Sequence, residues 1–140
     1  MASDPKPWPI IRTSDTGTAV RALEHLLRQH GADLEADGLF GPDTEAAVKE
    51  FQAANDLEDD GLAGPKTLAA LVVLVRPGDK DDKAEAVTAA QVLVEADDVD
   101  GIFGPKTETA VKYWQDKLDL GIDGIVGPKT WQALFATAAD

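Results

Sequence analysis

Apolar residues fall at helical spacing in six stretches of the chain. Val20, Leu23 and Leu27 recur three and four apart, which predicts an amphipathic helix that begins after Gly17 and stops at Gly31. Ala47, Val48, Phe51 and Ala54 form a second stripe, and Leu68, Leu71 and Val72 a third. The series then starts again with Val87, Ala90 and Val94, continues with Ala110, Val111 and Trp114, and ends with Trp131, Leu134 and Phe135. The pattern predicts an all-α protein of two lobes, each a three-helix bundle with turn-rich loops.

One eight-residue phrase punctuates these stripes four times: DGLFGPDT from Asp37, DGLAGPKT from Asp60, DGIFGPKT from Asp100 and DGIVGPKT from Asp123. Asp37 and Asp100 are 63 residues apart, as are Asp60 and Asp123, so the larger unit is a tandem duplication. The expected units are residues 1–75 and 76–140, with a short linker at Arg76–Asp82 rich in turn-forming residues. The phrase has a physical logic. Gly38 and Gly101 can take positive φ, and the aspartate before each can bond nearby backbone N–H groups, which makes a tight turn. Pro42 suits the first helical position, and Thr44 and Glu45 fall in that helix's first turn. The repeats differ in one loop: Gln91 to Asp100 is four residues shorter than Glu24 to Asp37. Residues 1–9 are proline-rich and expected to be extended.

Composition narrows the class. The 140 residues carry a net charge of −13, shared as −6 over residues 1–76 and −7 over 77–140. Such a surface repels nucleic acid and anionic lipid. The longest apolar run, Leu68 to Val75, is too short to span a bilayer, so no membrane insertion is expected. The N-terminus shows no charged-then-apolar signal pattern. There is no cysteine, hence no disulfide, thiolate metal site or cysteine nucleophile.

The run DG-x-FGPxTExAVKxFQ, followed by DG-x-x-GPKT-x-x-x-L, resembles the peptidoglycan-binding domain of the PGBD-like type, a three-helix module attached to many bacterial cell-wall hydrolases and phage lysins. The likeness covers nearly the whole chain, twice. The family's frequent opening, Leu-Arg-x-Gly-Asp, is similar to Val75-Arg76-Pro77-Gly78-Asp79 and more weakly to Ile11-Arg12-Thr13-Ser14-Asp15. The family's first-helix glutamine is Gln91 in the second repeat and Glu24 in the first. The resemblance implies a non-catalytic binder of peptidoglycan, through its glycan strand or stem peptide. It serves as a targeting module or a stand-alone wall protein, in an extracellular, periplasmic or cell-wall location. Two alternatives stay open. One is a protein-interaction adaptor that keeps the fold without glycan binding. The other is the targeting part of a wall hydrolase.

The residues argue against an enzyme and against a resident metal or cofactor. A calcium loop of the EF-hand kind needs a bidentate glutamate at its twelfth position, where the four copies place Thr44, Thr67, Thr107 and Thr130. His25 and His30, the only histidines, are five apart and do not share a helix face as a zinc pair would. No Gly-rich phosphate loop or serine elbow occurs. Wall recognition calls for aromatic faces against sugar C–H groups and polar groups for hydroxyls and amides. The candidates are Asp37, Phe40 and Thr44 in the first repeat and Asp100, Phe103 and Thr107 in the second. Tyr113 joins them because Val111 and Trp114 take its helix's buried face.

Overall fold

The computed structural model describes residues 5–140. Of the extended stretch expected over residues 1–9, residues 1–4 lie outside those described. Among the described residues there are six helices and no strand beyond isolated bridges. They are α1 (Thr18–Gln29), α2 (Pro42–Ala54), α3 (Pro65–Leu71), α4 (Ala84–Leu93), α5 (Pro105–Lys117) and α6 (Pro128–Ala138), with a 3-10 turn at Asp81–Lys83. The fold is all-α, in two sets of three helices.

Four helices start alike. Pro42, Pro65, Pro105 and Pro128 each take the first helical position behind an extended glycine. Proline loses no hydrogen bond there, and its fixed φ already matches a helix. Upstream, Gly38 (φ 78°) and Gly101 (φ 76°) sit in the left-handed region, as their turns require.

Short bridges tie each repeat's opening segment to its turns. Ile11 pairs with Ala63 in the first repeat, and Val75 with Val126 in the second. Phe40 exchanges backbone bonds with Ser14 and Asp15, and Phe103 does so with Gly78 and Asp79. Val75 thus pairs with a turn of the second set of helices. The segment after it is a closed turn, in which Arg76 N–H donates to Asp79 Oδ2 at 3.0 Å. Arg12 and Asp15 make the same bond at 2.9 Å.

The lobes share one core. α1 packs along α4, where Ala22, Ala86, Ala89 and Ala90 are fully buried. Side chains this small let helix axes approach closely. The buried cluster runs from Ile11 to Phe135 without a break between repeats. That continuity matters because a three-helix unit alone buries little apolar surface. Trp131 Nε1 donates to Val73 O across the lobes at 2.9 Å. Trp8 lies 6.3 Å from Phe135, so the proline-rich N-terminal segment rests on the second lobe.

The structure corrects three details of the helix stripes. Ala54 is exposed at the end of α2. Val94 is buried, but caps α4 instead of belonging to it. Val72 likewise caps α3 in an extended conformation. From there residues 72–75 cross to the second lobe, which is why α3 has 7 residues and α6 has 11.

Candidate functional site

Each aspartate–glycine turn is held by one buried side chain from a preceding helix. Gln91 of α4 donates from Nε2 to Asp100 Oδ1 (3.0 Å), Ile102 O (3.0 Å) and Thr107 Oγ1 (2.9 Å). Its Oε1 accepts from Gly101 N at 2.9 Å and Asp100 N at 3.0 Å. Gln115 of α5 does the same for Asp123, Ile125, Thr130 and Gly124. Gln52 of α2 holds Asp60, Leu62, Thr67 and Gly61. The amide is suited to this task because it offers a donor and an acceptor at one point, and buried backbone groups must be paired.

The fourth clamp differs. Glu24 of α1 accepts from Gly38 N at 2.8 Å through Oε1 and from Thr44 Oγ1 at 2.9 Å through Oε2. It is only 1% exposed. Burial pushes its carboxyl above the usual range, the neighbouring Asp37 adds to that, and the bonds from Gly38 and Thr44 only partly oppose it. The aspartates of the glutamine clamps shift the other way. The N–H of Leu62 holds Asp60 below the ordinary aspartate range, and the N–H of Ile102 does so for Asp100, with Gln52 and Gln91 assisting.

This geometry fixes the place of each sequence candidate. Phe40 (3% exposed) and Phe103 (1%) lie in the core and present no face to solvent. Thr44 and Thr107 are buried, their hydroxyls bound within the clamps. Asp37 and Asp100 are exposed at the turn tips, where each accepts from the N–H two residues on. Tyr113 is 60% exposed on α5, edge-on to Trp114. The structure therefore gathers two separate triads, Asp37–Phe40–Thr44 and Asp100–Phe103–Thr107, and leaves Tyr113 apart from both. The triads present outward their aspartates and the apolar tips Leu39 and Ile102, which are 56% and 52% exposed.

Sequence reasoning missed the clamp residues as a set. A signal existed: Gln52 and Gln115 each stand eight residues before their aspartate, and Gln91 stands nine before its own. It also missed a cleft of about 450 Å³ in the first lobe, between the C-terminal ends of α1 and α2. Residues 31–33, from the loop that is longer in the first repeat, form part of its lining. No helix among the described residues is long and apolar enough to cross a membrane.

The chain matches the family model described as "Putative peptidoglycan binding domain" over residues 16–71 and again over 85–134. No curated protein matches the chain at a significant level. Among solved structures, it is 35% identical to a peptidoglycan-binding protein from Clostridioides difficile, covering 45% of this chain and 40% of that one, with a TM-score of 0.44. It is 33% identical to the SleB N-terminal domain, covering 51% of this chain and 93% of that one, at 0.44. To a Burkholderia AP3 phage endolysin it is 28% identical, covering 74% of this chain and 36% of that one, at 0.46. Since the two family segments together span well over half of its length, the chain belongs to the peptidoglycan-binding domain family, in two tandem copies.

Proposed function

We propose that the protein is a non-catalytic module that attaches to bacterial peptidoglycan outside the cytoplasmic membrane. The observation that carries this reading is that both repeats, not one, match the family. Each repeat also keeps a complete aspartate–glycine turn with an exposed carboxylate and an exposed apolar tip. Asp37 and Asp100 bond hydroxyl or amide groups of the polymer, and Tyr113 offers an aromatic face to sugar C–H groups. Phe40, Phe103, Thr44 and Thr107 act indirectly, by shaping the turns. Two weak sites on one rigid core gain avidity when both reach the same polymer.

Co-sedimentation with purified sacculi at moderate salt tests the reading. The expected result is binding without release of soluble muropeptides. Failure to bind sacculi of several stem-peptide types would favour a protein-interaction adaptor with an acidic docking surface. Release of muropeptides by the pure protein would overturn the non-catalytic assignment.

A further inference from the structure

The cleft of the first lobe has the chemistry of a cation site. Its walls come from the end of α1 (Leu27, His30), from residues 31–33, and from the last two turns of α2 (Ala47, Glu50, Phe51). Both helices end at it, and the C-terminal end of a helix carries partial negative charge that favours a cation. Its polar groups are acceptors. Asp33 and Glu50 supply exposed carboxylates. Asn55 donates its Nδ2 to Phe51 O at 2.8 Å, which leaves Oδ1 to accept. His30 Nε2 donates to Leu71 O at 2.8 Å, because a carbonyl only accepts. No lysine or arginine lines the cleft. The nearest guanidinium in sequence, Arg28, is tied to Glu85 and to Leu34 O instead. Apolar surface is supplied by Leu27, Ala47 and Phe51, the last held edge-on by His30 at 5.0 Å.

The second lobe shows what this position takes. Sixty-three residues on, Phe51 becomes Trp114 and Ala54 becomes Lys117. There the protein's own ammonium, Lys117 Nζ, lies 4.7 Å from the Trp114 ring centroid. A cation over an aromatic face is a favourable arrangement. The first lobe keeps the aromatic floor and has Glu50 where the second has Tyr113, but ends α2 with alanine and so supplies no amine of its own at that position.

We propose that this cleft is a first-lobe subsite for a primary amine on an aliphatic stem, such as the free side-chain amine of a stem-peptide diamino acid. The choice of amine rests on the wall-binding reading; the cation chemistry of the cleft does not. The ammonium sits between Asp33 and Glu50, and its methylenes lie on Phe51 and Ala47. The second lobe, with Lys117 in place, does not take the same group.

Titration of the full chain with the soluble tripeptide L-alanyl-γ-D-glutamyl-L-lysine, followed by amide NMR, tests the proposal. The expected shifts centre on Ala32, Ala47, Phe51 and Asn55 and disappear when the side-chain amine of the peptide is acetylated. Glu50→Gln with Asp33→Asn should weaken binding roughly fivefold or more, and Asp97→Asn in the other lobe should leave it unchanged. Ala54→Lys, at an exposed helix end, should occupy the cleft with the protein's own amine and abolish the shifts while the melting temperature is kept. Equal shifts with the acetylated peptide, shifts confined to other surfaces, or no shifts at all would each overturn the subsite. If sacculi still bind wild-type protein in that event, the wall-binding reading survives without it; if they do not, both fall.

Discussion

Glu24 accepts the Gly38 N–H at 2.8 Å, the bond that Gln91 accepts from Gly101 at 2.9 Å in the second repeat. One clamp is thus run by a carboxylate where its three counterparts use an amide. The amide's second arm donates to an aspartate and a carbonyl; an ionised carboxylate in that place can donate nothing. While Glu24 is ionised, Asp37 and Leu39 O therefore lack the amide donor that Asp100 and Ile102 O receive from Gln91, and Leu39 O is met by the Thr44 hydroxyl at 3.3 Å instead.

Glu24→Gln should stabilise the protein at about pH 7 by roughly 1–2 kcal/mol, since it restores a donor and removes a buried charge. The sign follows from the raised carboxyl. A group whose folded-state pKa lies above its unfolded value of 4.5 stabilises the fold below that value and loses this contribution as pH rises through the folded pKa. The advantage of the variant should shrink toward zero as pH falls below about 4.5 and Glu24 is protonated. Asp60 and Asp100 are lowered and act in the opposite sense, stabilising above their unfolded value and failing as pH falls. Because they are common to both proteins, the difference between wild type and variant isolates Glu24. Urea unfolding at two pH values measures it; a variant no more stable than wild type at neutral pH would remove the argument.

Gly101→Val should destabilise the protein by about 1–3 kcal/mol. The backbone there has φ 76°, and a Cβ would stand 3.1 Å from both the Cβ and the carbonyl oxygen of Ala84 on α4. Gly121→Ala provides the control. An added Cβ there meets no atom within 4 Å, and the backbone is not left-handed. It should change stability by no more than about 0.5 kcal/mol. Chemical denaturation of both variants checks the contrast, and equal effects would show that backbone conformation is not the cause.

The turns were legible because glycine, proline and aspartate act locally. The φ of Gly38 and the helix start at Pro42 depend on their own covalent geometry, and so they can be read from a short phrase. Tyr113 was legible for a similar reason, since helical spacing alone assigns it away from the face of Val111. Phe40 and Phe103 were harder. Whether a loop aromatic points in or out depends on the segment that pairs with it, here Ser14–Asp15 and Gly78–Asp79, more than twenty residues upstream. The clamp glutamines act over a turn of chain that sequence periodicity does not mark. The cation cleft needs two helix ends and a loop brought together, which no single stripe encodes.

The two repeats should unfold as one unit. Their cores are continuous, and Trp131 reaches across to Val73 at 2.9 Å. Scanning calorimetry should give a calorimetric enthalpy equal to the van't Hoff enthalpy. Trp131→Phe should lower stability by about 1–2 kcal/mol, because the half-buried Val73 O loses its partner, without splitting the transition. Two resolved transitions in the wild type would show that α1 and α4 pack too weakly to couple the lobes.

Tyr113→Ala separates a surface role from a structural one. The ring is 60% exposed, touches Trp114 edge-on, and has Lys117 Nζ 5.9 Å from its centroid. Loss of so exposed a ring should change stability by less than about 0.5 kcal/mol, since Val111 and Trp114 already pack the inner face. Attachment to sacculi should weaken, because the aromatic face toward solvent is gone while the turns at Asp37 and Asp100 are untouched. Parallel melting and co-sedimentation curves decide the matter. A variant that melts several degrees lower yet binds as tightly per folded molecule would place Tyr113 in the structural set with Phe40 and Phe103. The wall contact would then rest on the turn tips and on the cleft of the first lobe.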